Sequence, residues 1–323
     1  MSDLLISAAP ARRPRALAHP ATAVSDTPLT RTVPKEFVHR AAVAEVLLTG
    51  WERVDQVLFR MSAQWPRGHS FFSPLPTGHH DPMLAAETIR QAGTMLAHAE
   101  FGVPLNSRFM MSDLHFTVVP EHALVGGAPA DLDLEVCCTE VRPRGRSIAG
   151  MRVGVVIRRD GDLVARGGGQ LVCISPTAYD RLRGEHRAPG PVAAVAPVSA
   201  ESVGRRSAFD VVLGATDQPH RWRLRADTDH PVLFDHPVDH APGMLLLEAA
   251  RQATHLFTPS QGSMPVSITS SFQRYVELDR PCWIEAGPVV SRGDGHTTVS
   301  VLGRQDDLPV FSCIVEALPV RSG

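Results

Sequence analysis

The feature of this sequence that most constrains its fold is an internal repeat. At an offset of 161, residues 69–92 align with residues 230–253 without a gap, and nine of these 24 positions are identical. Average composition predicts only about one or two identities by chance. The chain therefore contains two copies of one structural unit. The identical pairs are His69/His230, Pro76/Pro237, His79/His240, Met83/Met244, Leu84/Leu245, Glu87/Glu248, Arg90/Arg251, Gln91/Gln252 and Ala92/Ala253.

The similarity extends beyond this block, and a change of composition separates the two copies. At an offset of 165, RAAVAEVLL at residues 40–48 aligns with RRSAFDVVL at residues 205–213. Residues 176–202 are rich in Pro, Gly and Ala and lack periodicity, which is typical of a linker. We therefore predict a flexible N-terminal tail at residues 1–33, a first repeat at 34–175, a linker at 176–202 and a second repeat at 203–323.

Each copy predicts one long apolar helix followed by several strands. The first helix can be capped by Asp81, begins near Pro82 and reaches about Glu100. The second begins near Pro242 and ends near Thr258. Short β-branched runs such as MRVGVVI and TTVSVL come after the helices. A helix wrapped by an antiparallel sheet belongs to the α+β class, and two such units in one chain form an internal pseudo-dimer.

Composition and charge argue against several classes of partner. The 32 basic and 34 acidic residues give a formal charge of −2, so neither nucleic acid nor an anionic membrane is expected as a partner. We find no apolar signal region in the first 33 residues and no run of eighteen apolar residues. The five cysteines lack metal-site spacing and are typical of a reducing compartment. We expect a cytoplasmic protein that uses no metal and no cofactor.

The repeated helix carries an acid, a base and an amide on one face. Glu87, Arg90 and Gln91 stand three and four residues apart, which places their side chains together. The rest of the helix is apolar, so a carboxylate there is costly unless it is paired or used in catalysis. Burial raises a carboxyl pKa and a nearby arginine lowers it, so the glutamate is either a base or an anion that orients the arginine. The second copy repeats the arrangement with Glu248, Arg251 and Gln252.

The start of the second helix offers groups that can bind a carbonyl. Gly243 permits close approach, and the free N–H groups of Gly243 and Met244 can polarise a carbonyl oxygen. Pro82 takes the place of Gly243 in the first copy and has no N–H, so the second copy should hold the carbonyl. Histidines at helix entrances are often structural. Because both copies retain them, His79 and His240 are favoured as ligand contacts over His80, His236 and His255.

The segment FDHPVDHAPGMLLLEAARQ, residues 234–252, is similar to the central-helix motif of hot-dog proteins, notably the 3-hydroxyacyl-carrier-protein dehydratases. The chain resembles more closely the A-factor synthase family of γ-butyrolactone biosynthesis, whose members carry two such repeats. VHRAAVAEVLLTGW and DPMLAAETIRQA also carry this resemblance, which covers about residues 38–318. It implies a tandem double hot-dog fold, with two central helices each wrapped by an antiparallel sheet.

The resemblance also implies a reaction. The dehydratases have their catalytic histidine fourteen residues before the helix glutamate, where this chain has Ser73 and Phe234, so dehydration is disfavoured. The A-factor synthases imply acyl transfer from a 3-oxoacyl carrier protein to the hydroxyl of dihydroxyacetone phosphate. Glu248 or Glu87 would be the base, with Glu248 preferred. Substrate would be bound by the amides of Gly243 and Met244, by Arg90 or Arg251 as a phosphate fork, and by Gln91, Gln252, His79 and His240.

Two other functions fit the same residues. An acyl-thioesterase would use the glutamate to activate water instead of a sugar-phosphate hydroxyl. A non-catalytic protein that binds acyl groups or butyrolactones would use the polar face only to orient its ligand. Product identity separates the first alternative from transfer, and turnover by glutamate variants separates the second.

Overall fold

The computed structural model describes residues 30–187, 190, 194–258, 263–291 and 296–319. Most of the predicted N-terminal tail, residues 1–29, lies outside the described residues. Within them the chain forms three α-helices, α1 (Met83–Ala99), α2 (Pro176–Arg183) and α3 (Gly243–Phe257). The strands of the first repeat are β1 (Leu48–Arg53), β2 (Leu58–Trp65), β3 (Arg108–Val118), β4 (Ala130–Arg144), β5 (Ser147–Arg159) and β6 (Asp162–Ile174). Those of the second are β7 (Leu213–Gly214), β8 (Arg221–Leu224), β9 (Ser263–Phe272), β10 (Cys282–Ser291), β11 (Thr297–Gln305) and β12 (Leu308–Pro319).

The strand order shows the duplication directly. All twelve strands form one antiparallel sheet in the order β1-β2-β4-β5-β6-β3-β9-β12-β11-β10-β8-β7. The second half of this order is the first half reversed, with each strand replaced by its counterpart. The halves meet where β3 pairs with β9, and Leu114 stands opposite Ser270 at this junction. The predicted internal pseudo-dimer of two hot-dog units is confirmed.

Both predicted central helices are present and almost entirely buried. The Asp81 carboxylate accepts a hydrogen bond from the Met83 amide at 2.9 Å and so satisfies one first-turn N–H of α1, although Pro82, and not Asp81 as predicted, directly precedes the helix. The helix ends at Ala99, one residue before the expected end, and α3 occupies the predicted range. A helix that is apolar on nearly all sides must be covered on all sides, and the curled sheet provides that cover.

Side-chain alternation along the strands explains why the sheet wraps the helices. In β4 the residues Ala130, Leu132 and Leu134 are buried, while the intervening Asp131 and Asp133 are exposed. Successive side chains of a strand point to opposite faces, so one face of the sheet packs on the helix and the other meets water.

The predicted linker contains an element that the sequence did not indicate. Helix α2 begins after Ser175, whose hydroxyl accepts a hydrogen bond from the Ala178 amide, and two of its side chains, Tyr179 and Arg183, are buried. A helix of eight residues is too short to show clear apolar periodicity, which is why composition alone predicted a linker.

Helix α1 lies very close to β6 because that strand carries three successive glycines. A Cβ atom at Gly167 would lie 2.8 Å from the Ile89 side chain of α1 and would also collide with the main chain of β3 at His115. By contrast, a Cβ at Gly154 in the neighbouring strand β5 would come no closer than 3.9 Å, to the carbonyl oxygen of Cys137.

We therefore predict that Gly167→Ala lowers the free energy of unfolding by about 1–3 kcal/mol, because the added methyl group overpacks the helix–sheet contact. Gly154→Ala should change it by no more than about 0.5 kcal/mol. Urea unfolding of both variants checks this. Equal stability of the Gly167→Ala variant and the unchanged protein would contradict the close helix–sheet approach.

Candidate active site

The repeated glutamate of the first helix lies in a cluster of two arginines and one glutamine. Glu87 is 1% exposed. Its carboxylate accepts hydrogen bonds from Arg90 at 2.7 and 2.9 Å, from Arg40 at 3.1 Å and from Gln91 at 2.7 Å. A second contact between Arg40 and Glu87 is 2.7 Å long. Both carboxylate oxygens are therefore engaged.

The second helix repeats the same cluster. Glu248 is fully buried and accepts hydrogen bonds from Arg251 at 2.7 and 2.8 Å, from Arg205 at 3.0 Å and from Gln252 at 2.6 Å. A further ion-pair contact from Arg205 measures 2.8 Å. Arg40 and Arg205 occupy aligned positions at the 165-residue offset. The duplication therefore carried four interacting residues, of which three were recognised from the helix alone.

The two glutamines tie each helix to the segment that leads into the sheet. The Gln91 side-chain oxygen accepts a hydrogen bond from the Leu47 amide at 2.9 Å, and its amide group donates to the Glu45 carbonyl at 2.7 Å. Gln252 makes the equivalent bonds with Val212 and Asp210, at 3.0 and 2.9 Å. All four hydrogen bonds are internal, so these glutamines hold the fold.

The arginine of each cluster that lies outside the helix, Arg40 or Arg205, also links the two repeats. Arg40 donates a hydrogen bond to the carbonyl of Val232 in the second repeat at 3.0 Å. Arg205 donates to the carbonyl of Phe71 in the first repeat at 2.6 Å. Val232 and Phe71 are aligned positions, so the two bonds are related by the internal symmetry. Each helix carboxylate therefore anchors an arginine that crosses the repeat boundary.

The ion pairs decide the charge state of both glutamates. Burial alone would raise their pKa, but Arg40 and Arg90 bring the pKa of Glu87 down to about 2, and Arg205 and Arg251 do the same for Glu248. Of the two alternatives left by the sequence, this geometry favours an anion that orients arginines. A permanently ionised carboxylate with both oxygens bonded is a weak proton acceptor.

We predict that Glu248→Gln lowers the free energy of unfolding by about 3–5 kcal/mol near pH 7, because it leaves two buried guanidinium groups without a counter-charge. Glu100→Gln breaks the more exposed pair with Arg53 and should cost no more than about 1 kcal/mol. Denaturant unfolding of the two variants compares the buried and the exposed pair.

The pH dependence of the same difference provides a second test. The folded pKa of Glu248 is lowered from 4.5 to about 2, so its stabilisation is complete above pH 4.5 and is lost as the pH falls towards 2. The stability gap between the unchanged protein and Glu248→Gln should therefore shrink over that window. A gap that stays constant from pH 6 to pH 2 would contradict the ion-pair assignment.

A cavity of about 440 Å³ lies between the two repeats at the start of α3. Its apolar wall includes side chains from both repeats. Polar and charged groups line the remainder. The apolar residues include Met111, Leu114, Leu171, Leu246, Leu247 and Phe272, and the polar residues include His39, Arg90, Arg108, His236, Asp239 and His240.

Bulky residues fill the equivalent region beside α1. Phe71 and Phe72 are buried, and the guanidinium of Arg205 lies 4.1 Å from the centre of the Phe71 ring. The aligned residues of the second copy, Val232 and Leu233, are smaller and line the cavity. This difference in side-chain volume accounts for the opening beside α3.

The open helix start presents unsatisfied main-chain donors to the cavity. Gly243 and Met244 both line it, and Gly243 is exposed. Amides in the first turn of a helix have no acceptor within the helix, so they can bind a carbonyl oxygen or an anion. In the first copy Pro82 and Met83 are buried, and the Met83 amide is already bonded to Asp81.

His240 and Asp239 form a hydrogen-bonded pair on the wall of the cavity. His240 Nδ1 lies 2.7 Å from the Asp239 carboxylate. A carboxylate can only accept, so Nδ1 carries a proton, and in the neutral imidazole Nε2 then has the lone pair. Burial alone would raise the pKa of Asp239, but the hydrogen bonds from His240 and Tyr179 hold it well below its usual range. This is the arrangement of a histidine base oriented by a carboxylate.

Helix α2 supports this pair from the predicted linker. The Tyr179 hydroxyl donates to Asp239 at 2.6 Å. Arg183 binds Glu277 through two hydrogen bonds of 2.7 and 2.6 Å and also donates to the Asp239 main chain at 3.1 Å. The Tyr275 ring lies against the imidazole of His240, with centres 4.6 Å apart. The histidine ring is therefore held on two sides.

Cationic groups line another part of the cavity. Arg90 is 20% exposed, and its guanidinium donates to the Val38 carbonyl at 3.1 Å as well as to Glu87. Arg108 is exposed and lies above the Tyr179 ring. Burial lowers the pKa of His236, although its hydrogen bond with Asp235 and the charge of that carboxylate oppose the shift.

The structure separates the sequence-predicted residues into two groups. Gly243, Met244, His240 and Arg90 line the cavity. The others support the fold around it and do not contact the cavity; they are Glu87, Glu248, Gln91, Gln252, Arg251 and His79. The cavity also contains functional candidates that the sequence reasoning missed or ranked low, namely His39, Arg40, Arg108, Tyr179, Asp235, His236 and Asp239. Arg40 could have been found from the alignment at an offset of 165, because it aligns with Arg205. Nothing in the sequence pointed to Tyr179.

Two hot-dog units in one chain, with a cavity at the start of one central helix, define a double hot-dog protein. A sequence profile for the A-factor biosynthesis hotdog domain matches residues 21–175 and 188–310, so the chain belongs to that family. This match confirms the resemblance to A-factor synthases that the repeated motifs indicated.

Two similar proteins from Streptomyces share one enzyme name. A protein of Streptomyces virginiae, 2-oxo-3-(phosphooxy)propyl 3-oxoalkanoate synthase, is 54% identical over 89% of this chain and 98% of its own length. A synthase of the same name from Streptomyces coelicolor is 42% identical over 86% of this chain and 89% of its own length.

Among solved structures, the 12:0-ACP thioesterase from Umbellularia californica superimposes with a TM-score of 0.50 at 14% identity, covering 81% of this chain and 94% of that one. This similarity concerns the fold alone. None of the helices in the described part of the chain has the length and hydrophobicity needed to span a bilayer.

Proposed function

We propose that this chain is an acyltransferase that joins a 3-oxoacyl group, delivered as a thioester on an acyl carrier protein, to the hydroxyl of dihydroxyacetone phosphate. The name of the Streptomyces relatives describes such a product, an ester of a 3-oxoalkanoate with a phosphooxy-oxopropyl group. The observation that carries the proposal is the cavity, which combines a histidine–aspartate pair, an open helix start and guanidinium groups.

The apolar wall suits the acyl chain, and the start of α3 suits the thioester carbonyl. Leu246 and Leu247 continue the cavity wall along α3 from Gly243. A carbonyl oxygen bound by the amides of Gly243 and Met244 would gain negative charge during attack, and those donors would stabilise it. An acyl chain attached to that carbonyl would extend over the apolar residues.

His240 is the best candidate for the base. Its Nε2 keeps a lone pair because Nδ1 donates to Asp239. Nε2 takes the proton of the hydroxyl as that oxygen bonds to the thioester carbon. When the tetrahedral intermediate collapses, the carbon–sulfur bond breaks, and the leaving thiolate takes the proton from His240. Proton and charge balance without a cofactor.

The cationic part of the cavity suits the two phosphates of the proposed substrates. Arg90 is oriented by two hydrogen bonds to Glu87 and is the inner candidate for the phosphate of dihydroxyacetone phosphate. Two more arginines that line the cavity, Arg187 and Arg274, are exposed on its outer side. They suit the phosphate that joins a carrier protein to its pantetheine arm.

The reaction class is tested with purified protein, a 3-oxoacyl carrier protein and dihydroxyacetone phosphate, followed by mass analysis. We expect a new ester phosphate only when both substrates are present. Free 3-oxoacid released at the same rate without dihydroxyacetone phosphate would identify a thioesterase. Tight acyl binding without any product would identify a binding protein, and either result would reject the transferase.

The role of His240 is tested by comparison with its aligned counterpart. His240→Ala should lower kcat by about 100-fold or more, because the proton acceptor is lost. His79→Ala serves as the matched control, because His79 occupies the aligned position but does not line the cavity. It should keep kcat within about twofold of the unchanged protein. Equal loss in both variants, with equal unfolding midpoints, would remove the base assignment.

A further inference from the structure

A second histidine of the cavity is held in one tautomer by a chain of hydrogen bonds. His98 Nδ1 lies 2.7 Å from the carbonyl oxygen of Val103, and His98 Nε2 lies 2.8 Å from His39 Nε2. A carbonyl can only accept, so His98 carries its proton on Nδ1 and offers a lone pair at Nε2. His39 must then donate from Nε2, which leaves its Nδ1 as an unprotonated acceptor.

His39 adopts a backbone conformation that favours glycine. His39 ends a short 3-10 helix, Lys35–Val38, in the left-handed conformation, with φ 53° and ψ 51°. The aligned residue of the second repeat is Gly204, which is also left-handed, with φ 67° and ψ 24°. Glycine adopts this conformation without strain and histidine does not. The first repeat keeps the strained residue where its ring lines the cavity.

Two arginines and two histidines are the charged and titratable groups that act on His39. The charged and titratable neighbours are His98 and Arg90 on α1, Arg108 on β3 and His236 in the loop before α3. Arg90 is fixed next to it, because its guanidinium donates to the carbonyl of the preceding residue, Val38. Burial, followed by these neighbours, lowers the pKa of His39 to about 3, so the ring is neutral in the free protein.

An anion that binds next to the guanidinium groups of Arg90 and Arg108 must also accommodate the unprotonated Nδ1 of His39. A phosphate dianion that contacts both Arg90 and His39 Nδ1 would place an oxygen against the lone pair of that nitrogen, which is repulsive unless a proton lies between them. In the described part of the chain no hydrogen bond involves Nδ1 of His39, so that nitrogen is available.

We propose that His39 and Arg90 together bind the phosphate of the hydroxyl substrate, and that binding takes up one proton, shared between His39 Nδ1 and a phosphate oxygen. This rests on the proposed function for the identity of the ligand. The proton comes from solvent, and either partner can carry it, so the proton count is the same in both cases. Because binding takes up a proton, the affinity of this site for phosphate should fall as the pH rises above the phosphate pKa of about 6.

The test is calorimetric binding of glycerol 1-phosphate, with glycerol as the phosphate-free control, in buffers of different ionisation enthalpy. At pH 8 we expect uptake of about one proton per phosphate bound, and a Kd that rises about tenfold per pH unit between pH 7 and 9. Glycerol should not bind. A Kd independent of pH over this range, or no binding of glycerol 1-phosphate at all, would overturn the proposal.

Variants identify the residue that shares the proton. Asparagine tolerates the left-handed conformation and can donate its amide to a phosphate dianion, so His39→Asn should bind without proton uptake and with a flat pH dependence. His236→Asn should keep the tenfold slope. A slope that survives in His39→Asn, or disappears in His236→Asn, would reject His39 as the proton site.

A matched control separates this effect from a change in folding. His220 is also a left-handed histidine, with φ 58°, and its ring packs on Phe257 outside the cavity. His220→Asn should leave both Kd and its slope unchanged, and equal unfolding midpoints for the variants would exclude misfolding. Because binding needs neither carrier protein nor turnover, absence of ester formation would reject the acyltransferase while leaving this result interpretable.

Discussion

The structure depends on two buried carboxylates, each shared between two arginines. Glu87 and Glu248 are buried in the second turns of their helices, where an unpaired charge would cost several kcal/mol. Each carboxylate anchors an arginine of its own helix and a second arginine that bonds across the repeat boundary, Arg40 or Arg205. The same clusters therefore join helix to sheet entrance and first repeat to second.

The two halves share these charge clusters, but among the described residues only the second half has a cavity at the start of its central helix. The first copy closes its site with Phe71 and Phe72 and caps α1 with the buried carboxylate of Asp81. Burial raises the pKa of Asp81, although the charges of Arg251 and Arg205 oppose that rise. In the second copy smaller side chains leave a cavity, and Gly243 and Met244 at the start of α3 line it. Symmetric polar clusters thus support an asymmetric molecule.

Much of the fold could be predicted because the duplication preserved residues at helical spacing. Identities three and four residues apart locate a helix face, and flanking Pro residues locate its start. The fold class, both helices and the pseudo-dimer followed from that. The functional pairs could not be predicted so well, because Tyr179 reaches Asp239 from a segment sixty residues away that looked like a linker. His39 lies outside the α-helices, and its importance depends on hydrogen bonds to and from His98 that sequence does not show.

The comparison of the copies also explains why the repeated glutamates and glutamines lie outside the cavity. A residue that the fold requires must be kept in both halves, because removing either buried charge network would expose unpaired arginines to the core. A residue needed only for chemistry can be lost from one half without harm. His240 and Arg90 have identical counterparts in the two copies, so the site is set apart by the differences around them: Gly243 against Pro82, His39 against Gly204 and Val232 against Phe71. All three differences border the same cavity, and in each case the residue on the cavity side is the one that leaves a donor, an acceptor or space for a ligand.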